Sequence, residues 1–187
     1  MRLPFLTLLA VWGAAANAGT DTSLDAETGL ATWQNETGDV QVRLTQISPD
    51  QARAFYQARG FSAQAAERYA AECVFMTVVR NIGEVPIQHR LADWRYVSAG
   101  QPPRAIRSKS AWERLWKQHG VAEAARIAFN WAQFPATQTF APGDWNQGMT
   151  TYSVPRGGQF DLRFVWQAGG KTFSGTLEQV KCADDKP

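Results

Sequence analysis

Four side chains in this sequence carry the donor atoms of a soft transition-metal site: Met76, Met149, His89 and His119. Thioether sulfur and imidazole nitrogen together suit copper in an exported chain. Their spacing does not add to that signal. Met76 falls in the apolar run from Val74 to Val79, and His89 alternates with Ile87 and Leu91. His119 ends an apolar helical stripe, a position the helix dipole already favours for imidazole. Two histidines exclude a three-histidine zinc centre, and H-E-x-x-H, G-x-S-x-G and G-x-G-x-x-G do not occur. Gly170-Lys171-Thr172 looks like the end of a phosphate loop, but Val165 stands where the first glycine is needed, in a strand–turn–strand context.

A second chemistry pairs acids with aromatics. Asp93 precedes Trp94 and Asp144 precedes Trp145. Paired carboxylates can hydrolyse glycosidic bonds, and an indole beside them would suit a sugar ring. The segment from Pro142 to Gly148 combines turn residues with one large aromatic, the composition of a binding loop and equally of a loop pinned by tryptophan. Asp144, Trp145, Asn146, Trp94 and Asp93 are therefore the candidate ligand-binding residues, and no residue is given a catalytic role. Trp112, Trp116 and Trp166 lie on apolar stripes, whereas Trp145 does not and is expected to be the more exposed ring.

The ends of the chain say where these groups operate. Arg2, the apolar run from Leu3 to Ala16 and Ala16-Asn17-Ala18 form the three parts of a secretory signal peptide, with cleavage expected after Ala18. The formal charge of +2 falls to +1 without Arg2, which argues against a nucleic-acid partner. No membrane insertion is expected after cleavage. In an oxidising compartment the two cysteines, Cys73 and Cys182, are expected to pair. The closed loop of about 110 residues would contribute about 4–5 kcal/mol in the chain-entropy model. Asn35-Glu36-Thr37 is a formal glycosylation sequon, relevant only in a eukaryotic secretory pathway.

The elements that must position these residues are organised around the stretch from Ser48 to Asn81. Ser48-Pro49-Asp50-Gln51 is a helix start, Ala52, Phe55, Tyr56 and Arg59 recur at helical spacing, and Gly60 ends the run. Ser62 opens a second helix with Ala65, Ala66, Tyr69, Ala70 and Cys73 on one stripe. Phe55, Tyr56 and Tyr69 are expected to supply most of the buried area of this pair. The run from Val74 to Val79 is apolar on both faces, which predicts a strand covered on both sides. Val40 to Ile47 alternates as a half-buried strand, and Pro86 to Leu91 as an edge strand. Asp93 to Val97 suits a further short strand, and Gln101-Pro102-Pro103 marks a seam near 101–109.

Ser110 and Glu113 read as the capping box of a helix carrying Trp112, Leu115 and Trp116. Val121 to Ala132 favours another helix, although Ile127, Phe129 and Trp131 also fit a strand. Phe160, Leu162, Phe164 and Trp166 share one strand face, Gly169-Gly170 turns the chain, and Lys171 to Cys182 returns. On that return Phe173 and Leu177 have one parity and Val180 and Cys182 the other, which requires a bulge near or just after Gly175.

The predicted fold is α+β: an antiparallel sheet or immunoglobulin-like β-sandwich, with a helical pair and further helices packed on it or inserted in it, in one domain spanning 19–187. The predicted function is that of an exported, soluble, non-enzymatic binding or accessory protein of the periplasm, acting on a protein partner or small ligand. The alternatives are a small-ligand or copper-binding protein and, third, a glycan hydrolase. No cofactor is called for, copper being the alternative.

Overall fold

The computed structural model describes residues 19–184. The expected signal peptide, residues 1–18, lies outside the described residues.

Five antiparallel strands form the first sheet. Three are consecutive hairpin partners, β1 (Asp21–Leu24), β2 (Ala31–Thr37) and β3 (Val40–Ile47). They are followed in the sheet by β4 (Cys73–Asn81) and, at the far edge, β9 (Trp145–Tyr152). Val40, Val42 and Leu44 of β3 point into the core, as the alternation predicted. On β4, Cys73, Phe75 and Val79 face the second sheet, while Val74 and Met76 face the helices. A strand with a layer on each side has no polar face to show, which is why its sequence is apolar at both parities. Asn35 is 2% exposed within β2 and its amide donates to the Gly19 carbonyl at 3.2 Å. The sequon therefore has no accessible amide in the folded chain.

The second sheet is built on β10 (Gln159–Ala168). One edge pairs with β11 (Lys171–Lys181), and the other with β5 (Ile87–Arg90) and β6 (Arg95–Ser98). Those two strands are collinear along β10 and are separated by a single 3-10 turn, Leu91–Asp93. β7 (Arg104–Ala105) extends the sheet beside β6, and β8 (Thr137–Phe140) beside β5. The bulge demanded by parity is present: Leu162 pairs with Leu177, but Phe160 pairs with Val180. Gln179 takes up the extra length at φ +54°, and its N–H donates to Asp161 Oδ1 at 2.8 Å. This places both Leu177 and Val180 in the inter-sheet core.

Two helical pairs cover the outer face of the first sheet. The first is inserted between β3 and β4, as α1 (Pro49–Gln57) and α2 (Ala63–Ala70). The second is inserted between β7 and β8, as α3 (Lys109–Gln118) and α4 (Glu123–Ala132). The capping box at α1 forms as read, with Ser48 accepting from the Gln51 N–H and Gln51 accepting from the Ser48 N–H. At α3 the cap is Ser108, not Ser110: Ser108 Oγ accepts from the Ala111 N–H at 3.2 Å. Glu113, read as the returning arm of that box, instead holds Arg126 of α4 at 3.0 Å. The rings between the helices and the sheet are Tyr56, Phe61, Tyr69, Trp112, Trp116 and Phe129. Phe55 is only partly buried, and the Arg59 guanidinium lies 3.4 Å over its ring centre.

The result is α+β: a β-sandwich with a helical layer on one of its two sheets. Cys73 at the start of β4 is disulfide-bonded to Cys182, just after β11, so the covalent tie joins the two sheets. Among the described residues no helix is long and apolar enough to cross a membrane.

Candidate functional site

The predicted metal donors are distributed over three places. Met76 and Met149 are cross-strand partners on the helix-facing side of the first sheet. The Met149 sulfur accepts from the Tyr56 hydroxyl at 3.3 Å. That hydroxyl belongs to a buried set in which Gln133 Nε2 donates to Tyr56 at 2.7 Å and to Tyr69 at 3.1 Å. Burial pushes both phenols well above their ordinary range, so they act here as neutral hydrogen-bonding groups. His89 lies in the other layer, between the sheets, packed against the rings of Phe134, Phe140 and Trp94. Neither of its ring nitrogens has a hydrogen-bond partner among the described residues, and burial lowers its pKa to about 4. His119 is the exposed C-cap of α3. Among the described residues no cluster of three or more His, Cys, Asp or Glu side chains is arranged to hold a metal ion.

The acid–aromatic candidates are also divided. Asp93 ends the 3-10 turn and pairs with Arg90 at 3.3 Å. Trp94, the next residue, is buried, and its indole donates to the Val165 carbonyl at 3.0 Å, which makes it a core residue and takes it off any ligand surface. Asp144 lies in the turn between β8 and β9, where its carboxylate accepts from the Ala141 N–H at 3.0 Å. The two carboxylates thus flank opposite ends of β8. Asn146 donates to Gln138 Oε1 at 2.6 Å, which links β9 of the first sheet to β8 of the second. Trp145 is 58% exposed, whereas Trp112, Trp116 and Trp166 are 1%, 0% and 4% exposed. Of this group, Trp145 is the residue that presents a large ring to solvent, beside its cross-strand partner Arg80.

A cavity of about 470 Å³ lies elsewhere, one residue away from Asp93. Its walls are largely apolar and come from Leu91, Ala92, Ala105, Ile106, Ala111 and Ala136. Local structure explains how these residues meet. The 3-10 turn interrupts the strand that flanks β10 and turns Leu91 and Ala92 towards the start of α3, with the Leu91 N–H donating to the Ala136 carbonyl at 2.8 Å. The break at Gln101-Pro102-Pro103 brings the chain back as β7, and Ser108 then starts α3 at the rim.

Arg90, Arg107 and Lys109 supply the charge around this opening, and no carboxylate or imidazole lines it among the described residues. Arg107 is held by Glu72 at 2.9 Å and lies 4.6 Å over the Trp112 ring, while Arg90 is taken by Asp93. Lys109 differs from both: its ammonium donates to the Asn130 carbonyl at 3.1 Å, and partial burial lowers its pKa. Sequence reasoning saw this segment only as a seam. The signals available are the break in alternation after Leu91 and the three cations Arg104, Arg107 and Lys109 following a proline pair.

The chain matches no protein-family model and no curated protein.

Proposed function

We propose that this chain is an exported, non-enzymatic binding protein whose small ligand sits in the cavity between the 3-10 turn, β7 and the start of α3. The observation that carries the reading is the cavity itself. Its volume of about 470 Å³ falls in the roughly 300–1,000 Å³ range of small-molecule sites, and its walls are apolar with a few polar groups at the rim. The hydroxyl of Ser108 at that rim is already engaged as the α3 cap, which leaves it a structural part. The disulfide supports an oxidising destination, and the sequence pattern of residues 1–18 supports export.

The reading is tested with the uncharged fluorophore Nile red and the variant Ala136→Trp. Ala136 is an exposed wall residue, so the indole fills the opening without entering the core. Wild-type protein should enhance the dye's emission saturably, and the variant should not, with both melting at the same temperature. Equal emission from the two proteins would remove the cavity as the site. A saccharide-dependent change in Trp145 fluorescence would then move the ligand surface to the exposed end of β9.

A further inference from the structure

We infer that the ligand of this cavity is an anionic amphiphile, an alkyl or aryl chain ending in a carboxylate, with Lys109 as the group that recognises its charge. This rests on the cavity being the binding site, and adds the chemical class of what enters it. The apolar walls, Leu91, Ile106 and the four alanines, select a hydrocarbon body. They leave the polar end of such a ligand at the rim, where all three charged side chains are cations.

The three cations are not equivalent. Glu72 compensates Arg107 and Asp93 compensates Arg90, and neither carboxylate lines the cavity. Lys109 has no carboxylate partner among the described residues. It is held in place by a backbone carbonyl of α4, which neutralises no charge. A half-buried ammonium without a counter-ion is costly, and a ligand carboxylate would supply both the counter-ion and a charge-assisted hydrogen bond. A cationic amphiphile would meet the reverse: three like charges and no acid. A neutral one would gain the walls but leave the ammonium uncompensated.

The test compares decanoate with decan-1-ol, which share a chain and differ in charge, by isothermal titration calorimetry on the disulfide-intact protein. Decanoate should bind saturably and more tightly than the alcohol. Lys109→Gln should weaken decanoate by about 10- to 100-fold, the usual range for loss of one charge-assisted contact, and leave the alcohol unchanged. The wild type gives a second reading that needs no variant: decanoate affinity should fall as sodium chloride is raised, and alcohol affinity should not. Equal affinities for acid and alcohol, insensitive to salt and to Lys109→Gln, would overturn the inference while the binding reading stood. The inference would also fall alone if neither amphiphile bound but Nile red still entered and was blocked by Ala136→Trp. If the dye failed as well, the cavity reading would go with it.

Discussion

His89 shows most directly how one residue's surroundings set its behaviour. It is 1% exposed, ringed by Phe134, Phe140 and Trp94, and neither nitrogen is hydrogen-bonded among the described residues. Its folded pKa of about 4 lies below the ordinary 6.5 because burial disfavours the imidazolium. The unfolded chain therefore takes up a proton between pH 6.5 and 4 while the folded chain does not. Stability is full above about pH 6.5, falls as pH drops towards 4, and levels off below it, with a total loss of about 3 kcal/mol. Guanidinium denaturation of the wild type and of His89→Leu at pH 7 and pH 4.5 checks this. The wild type should lose most of that amount relative to the variant, and an identical loss in both proteins would show that His89 is not the acid-sensitive group. The same surroundings give His89 a packing role, as its place on an alternating apolar strand face predicts.

At the scale of elements, the helical pair α1–α2 corrects the expectation that Phe55 supplies, with Tyr56 and Tyr69, most of the buried area. Periodicity puts Phe55 and Tyr56 one residue apart on neighbouring parts of the same stripe and cannot choose between them. The structure chooses Tyr56, which is fully buried and in edge or tilted contact with Phe55, Phe61, Tyr69 and Phe129. Tyr56→Ala should cost about 3–5 kcal/mol, as for a large aromatic removed from a packed core, with the lost bonds to Gln133 and Met149 pushing it to the upper end. Phe55→Ala should cost clearly less, about 1–2 kcal/mol, since it loses partial burial and the contact with Arg59. Chemical denaturation of both variants decides this, and equal costs would mean that the stripe is centred differently.

Other elements were legible for stated reasons. The Phe160–Trp166 alternation and the parity change after Gly175 left a bulged hairpin as the consistent reading, and the bulge is found at Glu178–Gln179. The run from Val121 was ambiguous because Ile127 and Trp131, two residues either side of buried Phe129, look like a strand face; they are 51% and 85% exposed on a helix. The cavity was not legible at all. Its walls come from residues 90–92, 105–109, 111 and 136–137, and no local period reports that a turn, a two-residue strand and a helix start will converge.

At the scale of the whole molecule, two apolar clusters among the described residues share two strands. The inter-sheet cluster takes Cys73, Phe75 and Val79 from β4 and Tyr152 from β9, while the helical cluster takes Val74 from β4 and Met149 from β9. Because alternate residues of the same strands build both, neither cluster can dissolve without withdrawing one wall of the other. Unfolding should therefore be a single transition, with the helix-layer tryptophans Trp112 and Trp116 and the inter-sheet tryptophans Trp94 and Trp166 reporting the same midpoint. The Cys73–Cys182 bond acts on this unit from outside, by restricting the unfolded chain across 109 positions of sequence. Reduction, or the Cys73→Ala/Cys182→Ala double variant, should lower stability by about 4–5 kcal/mol and leave the transition cooperative. The measurement is denaturation of oxidised and reduced protein followed by far-ultraviolet circular dichroism together with Trp fluorescence in single-tryptophan variants for each layer. Two separated midpoints in the reduced protein would show that the disulfide, not the shared strands, couples the layers. Coincident midpoints at lower denaturant would assign the coupling to β4 and β9 and leave the disulfide as a constraint on the unfolded chain.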